Sequence, residues 1–188
     1  MTGPAPLLVL GLGNVLCTDD GLGVAAVEAL ARTYRLPPGV RVLDGGTLGL
    51  SLLHRFEAGQ DAILVDAVGV EEPPGTLVRL EGRDVAPAVR DRLSPHQVGV
   101  ADLLDALRLL GSHPRRLVLL GLVPESLELH VGLSPIVERR LPDLVAAVAE
   151  EIRRAGHPLM TAAGAAGAPG GACRVSPLRR PRPVPSAG

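Results

Sequence analysis

Four short apolar runs punctuate the chain: LLVLGLG (7–13), VRVLDGG (40–46), AILVDAV (62–68) and RLVLLGLV (116–123). Each is rich in Val, Leu or Ile without polar alternation, the pattern of strands covered on both faces. Between them the apolar spacing changes to three and four. Val24, Val27, Ala31 and Tyr34 fall on one stripe of a helix over 21–34, and Val100, Leu103, Leu104 and Leu107 do the same over 98–110, with Gly111 placed to end that helix. Ser134-Pro135 predicts the start of a last helix, which carries Leu144, Val145, Val148 and Ile152 and can stop at Gly156; Pro142 predicts a kink or a division within it. The run GTLVRLEG (75–82) alternates better and comes after a Pro/Gly loop, so it reads as an edge or antiparallel strand. Strands alternating with helices predict an α/β fold: a three-layer sandwich with a twisted, mostly parallel sheet of about five strands flanked by helices.

The chain has 188 residues, enough for one domain with a full core. Tyr34 and Phe56 are the only aromatics, so Val, Leu, Ile and Ala must build that core. Every basic residue besides His is Arg, a bias shared with high Ala, Gly and Pro and read as genome composition. From about Leu159 the sequence becomes Ala, Gly, Pro and Arg with no acid and no apolar period. It cannot bury enough surface to offset its ordering entropy, which divides the chain into a domain, 1–158, and a tail, 159–188, expected to be disordered. The domain holds 15 Arg against 20 acids; the tail carries the other four Arg and could touch an acidic partner or stay a solvated extension. A total charge of −1 gives no reason to expect nucleic acid as a partner. The opening residues MTGPAPLLVLGLG lack a basic n-region and run into a core strand. No apolar run reaches the roughly 18 residues of a membrane span, so no membrane insertion and a cytoplasmic location are expected.

Open α/β sheets place their chemistry at the carboxyl ends of the strands. After the first run come Gly11-Leu12-Gly13-Asn14 and then Asp19-Asp20-Gly21. A dinucleotide fingerprint needs a glycine where Leu16 stands, and no Gly-Lys-Ser/Thr comes after it, so neither phosphate motif is complete. Asp at a helix start can act as a cap, but two in succession are harder to assign to capping alone, and both readings stay open. After the second run, Asp44-Gly45-Gly46-Thr47 suits a tight turn braced by Asp44, with Thr47 capping the next helix. Asp66 ends the third run, where a carboxylate is unfavourable unless paired, solvated or bound to a cation. His96 lies in SPHQVG (94–99), ahead of the predicted helix, and can be a surface group or a ligand; His130, in a loop, is the other modest candidate.

Asp20, Asp66 and His96 together offer two oxygens and one nitrogen from three strand-end loops. That set suits a borderline divalent ion such as nickel or zinc, and three protein ligands leave a coordination position open. Cys17 and Cys173 cannot build a disulfide framework or a closed thiolate site, and Cys17 reads as a small buried filler rather than a nucleophile. Neither HExxH nor GxSxG is present.

GLGNVLCTDDGLGV, LDGGT, ILVDAV, SPHQVG and GLVPESLELHVGLSP occur together and in this order, and in this the chain resembles the hydrogenase maturation endopeptidases over roughly residues 7 to 155. The resemblance implies an enzyme that removes a short C-terminal extension from the precursor of a nickel–iron hydrogenase large subunit after nickel insertion. It implies that Asp20, Asp66 and His96 contact nickel, which the precursor supplies and which the free protein does not retain. The first of these is Glu in some family members, and Asp shortens that arm by one methylene. The same residues are expected to carry catalysis, with the metal or a carboxylate beside it activating water or polarising the scissile carbonyl. Gly13, Asn14, Asp19, Asp44, Gly45, Thr47 and Gln97 are expected to support the site, Asp19 as a cap or brace. A nickel-checking chaperone without catalysis would use the same residues. Few aromatic anchors predict a monomer that meets its precursor transiently.

Overall fold

The computed structural model describes residues 3–90 and 95–162, without the side chains of Arg90 and of residues 95–98. In chain order the elements are β1 (Leu7–Leu12), α1 (Leu22–Thr33), β2 (Tyr34–Arg35), β3 (Val40–Gly46), β4 (Asp61–Ala67), β5 (Leu77–Glu81), α2 (Val85–Arg90), α3 (Pro95–Leu109), β6 (Arg116–Leu122), α4 (Pro135–Arg154) and β7 (Met160–Thr161). The main sheet has the order β3-β1-β4-β6-β5. Its first four strands are parallel, and β5 closes the edge antiparallel to β6. This is the predicted three-layer α/β architecture, with the alternating run at 75–82 in its expected edge place.

Alternation along the strands sorts the core into two faces. Leu7, Val9, Ile63, Val65, Val118 and Leu120 pack under α1 and α4. Leu8, Leu10, Leu64 and Leu119 face α2, α3 and a 3-10 segment, Gly49–Arg55. Burial on both sides explains the unbroken apolar runs. The start of α1 sits directly on the sheet: a Cβ on Gly23 would lie 2.1 Å from the Val65 carbonyl oxygen and 2.3 Å from that of Leu12. From β1 the chain leaves to β3 on one side and returns to β4 on the other. The strand order therefore reverses beside β1, and the crevice of such a sheet lies there, outside the carboxyl ends of β1 and β4.

Four expectations need correction. His96 does not precede a helix: α3 begins at Pro95, so His96 and Gln97 belong to its first turn. Of the kink or division expected at Pro142, the division does not occur: α4 runs as one helix of 20 residues. Its buried residues Val137, Leu144, Val145, Val148 and Ile152 lie on both sides of the proline, and that packing holds the helix through the missing hydrogen bond. Thr47 caps nothing; Leu48 holds the N-cap position of the 3-10 segment, with no side-chain cap bond. The folded region also continues past 158, because Met160 and Thr161 pair with Arg35 and Tyr34 in an antiparallel ribbon. The remainder of the predicted tail, 163–188, and with it Cys173, lies outside the described residues. Among the described residues no helix is long and apolar enough to cross a membrane.

One buried charge cluster ties the edge of the sheet to α4. Glu151 is almost fully buried and takes hydrogen bonds from Arg79 on β5, 2.9 Å from its Nε, and from Arg116 on β6. Burial pushes the Glu151 carboxyl up, but the Arg79 and Arg116 guanidiniums outweigh it and hold it below its ordinary 4.5. A carboxyl depressed in the folded state stabilises the fold above its unfolded value, and that contribution is lost as the pH falls through the folded value. The expected result in urea titrations is a stability that falls below pH 4.5, with a shallower acid limb in Glu151→Gln; parallel limbs would remove Glu151 as a cause.

Candidate active site

Gly13 is the point where three strand ends meet. It has φ +120°, and its amide donates to the Gly46 carbonyl at 3.0 Å, joining the loop after β1 to the end of β3. A Cβ here would stand 1.7 Å from the Asp20 carbonyl oxygen and 3.7 Å from Asp66 Oδ1. Only glycine allows the backbone at 20 to come so near, and Asp66 Oδ1 lies beside the same point. The next amide, Asn14 N–H, donates to Asp20 Oδ2 at 2.8 Å, while Asn14 Oδ1 accepts from Leu16 N–H and shapes the turn. Asp66, one residue before the end of β4, points to the α3 side of the sheet, by alternation with Leu64, and its Oδ1 accepts from Ala67 N–H at 2.7 Å. Both carboxylates are buried. Residues 46 apart in sequence thus bring two acids to the Gly13–Asn14 peptide at the sheet's switch point.

The start of α3 lies at the same end. The helix precedes β6 and runs against it, so its first turn is level with the carboxyl ends of the strands. Gly49 and Gly99 fix the approach: a Cβ on Gly49 would lie 2.9 Å from the Gly99 Cα. The backbone therefore places the turn carrying His96 and Gln97 on the face to which Asp66 points, while their side chains lie outside the described residues. Among the described residues no three His, Cys, Asp or Glu side chains form a metal-holding group. Asp20 and Asp66 are the pair the described residues supply, and an oxygen pair of this kind suits a hard or borderline cation.

Asp19 has a different environment from its neighbour. It is completely buried, and its carboxylate accepts from four donors: Glu125 N–H at 2.8 Å, Ser126 N–H at 3.1 Å, Ser134 N–H at 2.7 Å and Ser134 Oγ at 2.9 Å. It does not cap its own helix, since the N-cap of α1 is Gly21 without a side-chain bond. It instead fastens the loop after β1 to the loop after β6 and to the start of α4. Thr18, at φ +46°, completes the join: its amide donates to the His130 carbonyl at 2.8 Å and its Oγ1 to the Glu128 carbonyl at 2.7 Å. Strained backbone held this firmly turns two successive acids in different directions, Asp19 into the clamp and Asp20 towards Gly13. Ser134 also accepts from Val137 N–H as the N-cap of α4. Ser134→Ala is expected to lower stability by about 1–2 kcal/mol, measured by urea unfolding, because it removes a cap and one Asp19 bond together.

The remaining candidates take lesser parts. Asp44 Oδ1 accepts from Gly46 N–H at 2.8 Å and braces the turn after β3. Gly45 packs on Leu10, where a Cβ would come within 2.8 Å of its Cδ1. Thr47 is exposed. Cys17 is half-buried rather than the buried filler expected, and it bridges through its backbone to the exposed His130. Sequence reasoning missed Thr18 and the loop 124–134 as structural partners of the acids. The one available signal was the cap pair Ser134-Pro135, which marks a helix start but not what holds it.

The hydrogenase maturation protease family model matches residues 24–151. The chain is 44% identical over 151 residues to a hydrogenase 2 maturation protease of Escherichia coli (strain K12), covering 80% of this chain and 92% of that one. It is 42% identical over 153 residues to the hydrogenase expression/formation protein HupD of Rhodobacter capsulatus, covering 80% and 72%. The fold superposes on the hydrogenase maturating endopeptidase HybD from E. coli with a TM-score of 0.79 at 42% identity, over 82% of this chain and 96% of that structure. A nickel–iron hydrogenase maturation protease of Thermococcus kodakarensis superposes at 0.63 with 27% identity, over 78% and 97%. A family match across most of the described fold, joined to this strand-end arrangement of acids, makes the chain a member of the hydrogenase maturation protease family.

Proposed function

We propose that this protein is the endopeptidase that cuts a C-terminal extension from the nickel-loaded precursor of a nickel–iron hydrogenase large subunit. Asp20, Asp66 and His96 would read the nickel that the substrate carries. The observation that carries the reading is the meeting of Asp20 and Asp66 at Gly13, level with the turn that bears His96. The names of the E. coli relatives support a protease acting in hydrogenase maturation.

The nickel belongs to the substrate and would dock the precursor against the two carboxylates. In the hydrolysis, water adds to the scissile carbonyl carbon, the C–N bond breaks, and a proton from the water ends on the leaving amine. A carboxylate beside the peptide is suited to accept that proton and pass it on. Placing the acids in a buried, prearranged loop spares reorganisation during the reaction. The clamp of Asp19, Thr18 and Ser134 holds that loop.

Incubation of the purified protein with nickel-loaded and nickel-free precursor, with mass measurement of the large subunit, tests the reading. The expected result is a shortened C-terminus in the nickel-loaded sample alone. Cleavage of both would remove the nickel check. Binding without cleavage of either would replace the protease with a chaperone.

A further inference from the structure

Ten large apolar side chains are exposed among the described residues, and seven of them stand at the carboxyl end of the sheet. Val15 and Leu16 come directly after Asn14 and are 51% and 52% exposed; Leu129 and Val131 flank His130 and are 82% and 72% exposed. The two pairs are neighbours across a backbone bridge, in which His130 N–H donates to the Leu16 carbonyl at 2.9 Å and Thr18 N–H to the His130 carbonyl at 2.8 Å. Leu48 and Leu50 extend the apolar rim over the loop after β3. Apolar side chains gathered on one end of a molecule mark an interaction surface.

The loops that present the rim are tied down by the Asp19 clamp and by Thr18, so the surface is formed before any partner arrives. It is also continuous with the site: Asn14, which holds Asp20, is next in sequence to Val15. Charge narrows the occupant further. The complete strand-end loops 13–21, 68–76 and 123–134 contain Asp19, Asp20, Glu71, Glu72, Glu125 and Glu128, and no Arg. Glu125 and Glu128, exposed beside Leu129, would repel an acidic segment.

We propose that Val15, Leu16, Leu129 and Val131 form the docking surface for an apolar, acid-free stretch of the precursor polypeptide close to the bond that is cut. This rests on the function proposed above, since an endopeptidase site is itself a contact with another chain. The rim supplies binding of the protein part of the substrate; the carboxylates act on its metal and its peptide. The two should separate kinetically, because contacts made equally in the ground and transition states change KM and leave kcat.

The test is steady-state processing of the full-length nickel-loaded precursor by the wild-type chain, by Leu129→Ser/Val131→Ser and by Val15→Ser/Leu16→Ser. Both variants are expected to raise KM about tenfold with kcat within about twofold of wild type. Their thermal midpoints should stay near wild type, since the replaced side chains are half-exposed or more. An unchanged KM in both, with the wild type active, would overturn the proposal. A fall in kcat alone would assign the rim to the chemistry instead. A concentration-dependent wild-type dimer that the variants abolish would make a second copy of this chain the occupant and overturn it too. A wild type that never cuts the precursor would sink the functional reading, and the precursor's Kd for the three chains then decides the surface: a Kd about tenfold weaker in both variants supports it and an equal Kd overturns it.

Discussion

Asp20→Asn is expected to lower precursor processing by about three orders of magnitude while leaving the thermal midpoint within about 2 °C of wild type. The two outcomes part because the side chain serves two purposes. Its hydrogen bond from Asn14 N–H needs only an oxygen acceptor, which asparagine keeps at the same length. Contact with a cation, or proton transfer to and from water, needs the charge, which asparagine lacks. Asp66→Asn should behave alike, since its described bond from Ala67 N–H can also be kept by an amide oxygen. His96→Ala completes the set, with loss of processing and an intact fold as the expected result. Mass measurement of the large subunit gives the activity arm and thermal unfolding the stability arm. Retained activity in Asp20→Asn would remove Asp20 from the reaction.

Asp19→Ala is expected to do the opposite in its primary effect, lowering stability by about 4 kcal/mol and the thermal midpoint by about 10 °C. Four donors from three residues converge on one buried carboxylate, and truncation leaves all of them without that acceptor. The Ser134 N–H and Oγ, whose bonds to Asp19 are buried, lose their acceptor away from solvent, and their desolvation is left uncompensated. The loop 124–134 and the start of α4 would loosen together, and processing should fall with them. Amide exchange at Glu125, Ser126 and Ser134 should accelerate ahead of the rest of the sheet. A midpoint equal to wild type would show that the clamp contributes nothing to the fold. Neighbouring residues of one type thus give contrasting phenotypes, a loss of chemistry at 20 and a loss of stability at 19.

The sheet was legible in the sequence because its parallel strands are buried on both faces, which turns them into unbroken apolar runs such as LLVLGLG and AILVDAV. Helices α1 and α4 were legible because each presents one stripe to that sheet. A helix after Thr47 was expected, but not its 3-10 form over Gly49–Arg55, and the short α2 was not foreseen, as pieces of so few residues show no complete period. The β2–β7 ribbon spans two residues a side and joins the ends of α1 and α4, a pairing that no local pattern encodes. At the site, Asp20 and Asp66 stood out as acids where apolar runs end. Asp19 was expected as a cap or brace, but its partners were not legible, because Ser134 is 115 residues away and only the fold brings them together. Pro142 does not divide its helix because propensity is local, whereas the packing that overrides it lies along the whole of α4.

In the function proposed above, strand-end residues of this chain touch the nickel of the precursor. X-ray absorption at the nickel edge measures this directly, on the loaded precursor alone and on the precursor mixed with wild type or with Asp20→Asn and frozen before cleavage. Oxygen or nitrogen neighbours at the nickel are expected to appear with the wild type and to diminish with the variant. A nickel spectrum unchanged by a wild-type enzyme that goes on to cut the precursor would contradict it.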